Sequence, residues 1–300
     1  MMQKTSNSTR GLGALSAAAL LALTACGNGD GGDNGDGEDL GAEGDGQTVT
    51  VAIAGEVPYS WLDDDGEPTG ASVALAEEIL GERMGYDVEA EYTDWDSLIP
   101  GLNANNWDAV SAGMSITPDR CAEAAFSEPE IMYTTAFMVE EGNPHDVHTF
   151  EDLAQAQAEG ELDVVALSAG IESGWLEEEG VEFEGVGTAE DGVDFVDGGA
   201  ADVMVLTAAS LNAMSEDMDG VEVTEEFAYE LSAGATAFRP EDTELLEEYN
   251  EHLEELKDSG ELLEIIEEYG FTEDELPDPE MTAEEFCDGD IEALEEQYLD

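Results

Sequence analysis

The stretch Ser111-Ala-Gly-Met-Ser-Ile-Thr-Pro-Asp-Arg120-Cys-Ala-Glu-Ala-Ala-Phe-Ser-Glu-Pro129 decides how this chain is read. Its centre is Arg120, and charge alone makes that residue conspicuous. The 300 residues hold 6 Lys and Arg against 77 Asp and Glu. Lys4 and Arg10 fall in a leader-like segment, which leaves Arg83, Arg120, Arg239 and Lys257. So few cations give an anion few places to bind. Arg120 follows Thr117-Pro118-Asp119, where Pro at the first helical position and an acid beside it predict a helix start. Free backbone N–H groups there, with a planar guanidinium, suit a carboxylate held by two parallel hydrogen bonds. A surface arginine paired with Glu123 or another acid is the alternative that spacing leaves open.

Composition bounds the rest. A hydrophobic content of 42% is that of a globular chain, long enough for one or two domains. From Cys26 onward, 4 basic and 77 acidic residues give a charge of −73, spread along the whole length. Such a surface repels itself unless salt screens it, and at ~1 M salt the Debye length is roughly 3 Å. This indicates a saline exterior and excludes nucleic acid and anionic membrane surfaces as partners of the folded part. Melting followed by circular dichroism at about 20 mM and about 2 M salt tests it. The midpoint should rise with salt, and equal midpoints would refute the halophilic reading.

Working outward, Thr48 to Ala54 alternates β-branched residues and predicts a strand. The spacing predicts a helix over 71–85, a strand over 87–93, a helix over 95–104 and a strand over 108–112. Alternation of this kind implies a largely parallel sheet, with ligands beyond the carboxyl ends of its strands. Glu56 to Trp61, Thr93 to Trp95 and Gly113 to Arg120 follow those ends and converge on one edge. Ile131 to Glu140 reads as a strand leading to a second α/β region: helix 150–157, strand 162–167, helices 171–179 and 188–197, strand 202–206 and helix 207–214. Leu231 to Phe238 reads as a return strand. After it, Leu245, Tyr249, Leu253 and Leu256 fall at helical spacing, and 262–269 form a second short helix.

Gly113-Met-Ser-Ile-Thr-Pro-Asp-Arg120 followed by Phe126-Ser-Glu-Pro129 resembles the signature of the polar amino-acid family (family 3) of solute-binding proteins from ABC importers. Trp95-Asp-Ser-Leu-Ile-Pro-Gly-Leu102, Asn106-Trp-Asp-Ala109, Gly142-Asn-Pro144, Gly199-Ala-Ala-Asp-Val203 and Leu253-Glu-Glu-Leu-Lys-Asp-Ser-Gly260 extend the likeness from about 48 to 270. The resemblance implies an α/β, two-lobe, periplasmic-binding-protein-like fold of type II with a hinge between the lobes. The expected division is 49–139 and 232–275 for lobe 1, 140–231 for lobe 2, and 276–300 for a tail linked to lobe 1. Leu23-Thr-Ala-Cys26 resembles a lipobox, so 1–25 are expected to be a signal peptide and Cys26 to carry lipid. Residues 26–48, acidic and Gly-rich, form a tether spanning on the order of 25–30 Å. The protein is then exported and anchored by lipid to the outer face of the cytoplasmic membrane. With Cys26 lipidated, Cys121 and Cys287 remain and are expected to pair, two buried free thiols being the alternative.

Within the family the chain is most similar to ectoine/hydroxyectoine-binding lipoproteins, through Glu56-x-Pro-Tyr59, Thr117-Pro-Asp-Arg-Cys121 and Phe286-Cys287. There the arginine holds the ligand carboxylate while aromatic rings cage the cyclic amidinium. The implied ligand set is Glu56, Tyr59, Trp95, Gly113, Ser115, Thr117 and Arg120 from lobe 1, with Glu172 and Thr207 from lobe 2. Ser115 departs from that subgroup, which can place a third caging aromatic there. Thr207 departs from the amino-acid binders, whose α-amino group meets an Asp at that position. The expected ligand is a small zwitterion, ectoine or hydroxyectoine before a polar amino acid. The expected partners are ABC permease and ATPase subunits, and the protein is expected to be a monomer.

Other chemistries have little support. His145 and His148 lie in a loop with few donors, so no metal is expected, and no cofactor motif, Ser-His-Asp arrangement or CxxC is present. A ligand-sensing ectodomain is the alternative among binding modules. An enzyme would need an added acid beside the ligand, for which Glu56 is the sole candidate, and none is expected.

Overall fold

The computed structural model describes residues 44, 46–160 and 162–299. The expected signal peptide, the expected lipidation site Cys26 and most of the expected tether lie outside them. The tether's last residues already belong to the folded body: Gly44 N–H donates to Met84 O (2.8 Å) and Gly46 N–H to Gly85 O (3.0 Å).

Two sheets organise the chain. In the first, strands Asp87–Tyr92, Thr48–Ile53 and Ala109–Ser115 are parallel, and Ala233–Phe238 joins antiparallel to Ala109–Ser115. In the second, Glu184–Val186, Val164–Leu167 and Val203–Thr207 are parallel, Thr135–Glu140 lies antiparallel beside Val203–Thr207, and Val221–Val223 pairs antiparallel with Thr135–Glu140 at the edge. Each sheet is therefore mixed. Val164–Leu167, Val203–Thr207 and Ala233–Phe238 are buried at every residue, as strands covered on both faces must be.

The single strand expected over 131–140 is two. Ile131–Met132 pairs with Ala233 and Gly234 in the first sheet, whereas Thr135–Glu140 pairs with Val203–Thr207 in the second. The chain thus changes sheets at Tyr133–Thr134, not at 139–140. Periodicity could not show this, because the apolar alternation runs on through the crossing. The helix over 71–83 is α-helical to Ala76 and widens to π geometry from Glu77 to Arg83. Thr243–Ser259 buries Leu245, Tyr249, Leu253 and Leu256 along one stripe and stops at Gly260, where φ is +83°. Sequence patterning did not predict Glu184–Val186, Val221–Val223 or the tail helices Ala283–Asp288 and Ile291–Tyr298. The tail is fastened to the first sheet's side by the Cys121–Cys287 disulfide, with Cα atoms 5.7 Å apart, and by Phe286 in the core.

Candidate functional site

The segment containing Arg120 folds as its residues dictate. Gly113 adopts φ +65°, and a Cβ there would lie 2.4 Å from Tyr59 Cδ1, so the strand bends closely over the tyrosine ring. Thr117 caps the turn Pro118–Cys121, its Oγ accepting from Arg120 N–H (3.3 Å), with Pro118 at the first position. This aims the arginine back over the strand end. Its Nη1 donates to Ser115 O (2.9 Å) and its Nη2 to Ala169 O (2.7 Å).

The other cations are engaged differently. Arg83 pairs with Glu78, Glu255 and Glu261. Arg239 is buried, with Asp242 at 2.7 Å, Asp108 at 3.2 Å and Trp107 O at 2.9 Å. Lys257 lies among Glu128, Glu130 and Glu254. Among the described residues Arg120 makes no ion pair, and Glu123 is not its partner. Desolvation lowers its pKa, yet a guanidinium remains charged.

Around Arg120 the structure gathers residues from both sheets. Trp95 stands 6.0 Å from the guanidinium carbon and donates its indole N–H to Ala169 O (3.2 Å), the same carbonyl that Arg120 uses. Trp95 therefore faces the arginine and the opposite sheet's loop, not only a ligand cation as the sequence suggested. Tyr59 is 1% exposed, packs edge-on to Tyr133 (6.2 Å between ring centres) and leans on Phe271 (5.2 Å), and the Thr207 hydroxyl acts on its phenol. Ser115 Oγ bonds the Tyr133 hydroxyl.

Glu56, 4% exposed, receives Ser210 Oγ–H at 2.9 Å. Thr207 caps the helix Ala208–Ser215 and donates to Ser210 Oγ (2.9 Å), so a hydroxyl relay from the second sheet ends on a carboxylate from the first. Burial, reinforced by Glu172, raises the Glu56 pKa to about 8 despite those donors and Arg120. Glu172, in the first turn of the helix Ile171–Glu178, is 3% exposed, and burial raises it to about 7. Burial also pushes the phenols of Tyr59 and Tyr133 well up.

All nine residues expected from sequence thus lie in or beneath one region between the sheets. Tyr133, Ala169 and Ser210 were missed. Ser210 had a weak signal, the Thr-x-x-Ser spacing of a helix cap. Tyr133 had none, being submerged in an apparently continuous strand. Ala169 acts through its backbone carbonyl, which no side-chain pattern reveals. Beside Arg120, a cleft of about 430 Å³ opens between Thr117, Gly170, Trp175, Leu231 and the tail residue Ile291.

This arrangement offers one guanidinium, two buried carboxylates and three aromatic rings. No helix among the described residues is long and apolar enough to cross a membrane. Comparison with known proteins agrees with a binding role. A probable amino-acid ABC transporter periplasmic-binding protein of Sinorhizobium fredii is 32% identical over 253 residues, covering 80% of this chain and 82% of that protein. The arginine-binding extracellular protein ArtP of Bacillus subtilis is 27% identical, covering 83% of this chain and 92% of that one. The crystal structure of EhuB in complex with hydroxyectoine superposes with a TM-score of 0.71 at 30% identity, covering 80% of this chain and 94% of that one. Such neighbours share the two-lobe type II binding-protein architecture. Matched over residues 49–273, the chain belongs to family 3 of the bacterial extracellular solute-binding proteins.

Proposed function

We propose that this protein captures a small zwitterion, ectoine or hydroxyectoine above all, and presents it to the permease and ATPase subunits of an ABC importer. The observation that carries the reading is Arg120, held beside Trp95 and bound only to carbonyls, a guanidinium free to exchange Ala169 O for a ligand carboxylate. Glu56, Tyr59 and Tyr133 then receive the cationic end, a charged acid beside ring faces. Thr207 offers a hydroxyl rather than a second acid, and its relay is already committed to Glu56. Similarity to the hydroxyectoine-bound EhuB supports the ectoine choice.

In this reading lobe 1 comprises 49–133 and 233–275, lobe 2 comprises 135–231, and closure occurs about Tyr133–Thr134 and Leu231–Ser232. Anchoring through lipid on Cys26 places the protein outside the cytoplasmic membrane. The second reading is a polar amino-acid binder. It is favoured by the additional buried acid, Glu172, and by the similarity to ArtP.

Calorimetry in molar salt with ectoine, hydroxyectoine, glutamine, histidine and arginine decides between them. Ectoine should bind most tightly, and tighter binding of any of the amino acids would select the second reading. Trp95→Ala should cost about 2–3 kcal/mol, or roughly 30- to 150-fold in affinity, through lost ring contact and the lost closing bond to Ala169.

A further inference from the structure

The site contains more negative charge than a zwitterion needs. Its charged side chains are Arg120, Glu56 and Glu172, two acids to one base. The acids differ in their surroundings. Glu56 accepts Ser210 Oγ–H at 2.9 Å, with Thr207 behind it; burial without a cation raises it to about 8, and a ligand cation set against it restores the carboxylate. Glu172 has no side-chain donor of that kind among the described residues: it is 3% exposed and its Oε1 has no hydrogen-bond partner there. Arg120 faces Glu172 from the turn Pro118–Cys121, Glu56 and Tyr59 from the loop after Thr48–Ile53, and Tyr133 from the crossing. From its own helix it has only its own backbone N–H. Glu230, near the same helix, is occupied by the Trp175 indole N–H at 2.9 Å.

When a zwitterion sets its carboxylate on Arg120 and its cation on Glu56, Glu172 is left as a buried acid without a counter-charge. Such a group takes a proton rather than remain ionised in a dry site. With the lobes apart and water present, it ionises at neutral pH like an ordinary glutamate. A ligand with a second cationic group needs no proton, because that group can meet Glu172.

We propose that Glu172 sets the net charge the site accepts: a ligand of charge +1 binds as it is, whereas a zwitterion binds together with one proton that resides on Glu172. The inference rests on the solute-binding reading but not on the choice of ectoine. The pKa of about 7 in the closed site gives the direction, since that value lies above the ordinary carboxylate range.

The experiment is calorimetry near pH 6 in phosphate and in Bis-Tris, whose ionisation enthalpies differ, with ectoine and glutamine as zwitterions and arginine as the +1 ligand. Each zwitterion that binds should take up most of one proton, and its affinity should fall by up to tenfold per pH unit as pH rises from the ordinary glutamate range to about 7, then level off. Arginine should take up almost none. In Glu172→Gln the uptake by zwitterions should vanish, their affinity should become flat with pH, and arginine should bind at least about tenfold more weakly. Equal binding enthalpies for a zwitterion in both buffers, or uptake persisting in Glu172→Gln, would overturn the proposal.

If no member of the panel binds, the solute-binding reading itself fails, an outcome distinct from binding with equal enthalpies in the two buffers, which overturns the role of Glu172 alone.

Discussion

Arg120→Ala should abolish solute binding, weakening it by roughly 2–5 kcal/mol, or about 30-fold to several-thousand-fold. The ligand carboxylate would be desolvated between the lobes with no charged donor to replace water. Ser115 O and Ala169 O would in addition lose the guanidinium, leaving Ala169 O with the Trp95 indole N–H. Arg83→Ala is the control. It removes the same charge from an equally acidic protein, but from an exposed cluster with Glu78, Glu255 and Glu261. Arg239 cannot serve as a control. It is buried against Asp108 and Asp242, so its loss would strand acids in the core and report on folding. Titration calorimetry with the best ligand of the panel reads the effect. Equal weakening in Arg120→Ala and Arg83→Ala would mean that overall potential, not a site, governs affinity.

The same contrast shows what the sequence made legible. Arg120 could be singled out because cations are so scarce, and Thr117-Pro118-Asp119 announced the turn that aims it. The strands read well wherever burial on both faces produced an unbroken apolar run, as at Val164–Leu167 and Val203–Thr207. Short edge strands such as Val221–Val223 carry too few residues for a period to emerge. The crossing at Tyr133–Thr134 was hidden because a strand that exchanges one sheet for another keeps its alternation. Consequently Tyr133, which lies against Tyr59 and Ser115, stayed invisible. The burial of Arg239 was hidden for a related reason. Its partners, Asp108 and Asp242, lie 131 and 3 residues away, and among so many acids no pairing stands out.

Cysteine was the exception to that ambiguity, and the bond it forms should have the largest effect on stability. Replacing Cys121 and Cys287 together by Ser opens a loop of sequence separation 166. In the chain-entropy account this removes on the order of 4–5 kcal/mol, an upper figure if the tail keeps its other contacts. Those contacts are few but specific. Ala283 N–H donates to Glu128 Oε2 (2.8 Å), Leu231 N–H to Glu295 Oε1 (3.2 Å), and Phe286 is buried. The loss should lower the melting midpoint in molar salt by about 8–20 °C at roughly 2–4 °C per kcal/mol for a domain of this size. Wild-type protein treated with a reductant should melt with the double variant. Because Cys121 directly follows Arg120 and Ile291 lines the cleft beside it, solute affinity should fall as well, though less than in Arg120→Ala. An unreduced digest of exported protein should yield the linked Cys121 and Cys287 peptides. Free thiols at both positions, or unchanged melting of the double variant, would show that the tail is held by packing alone.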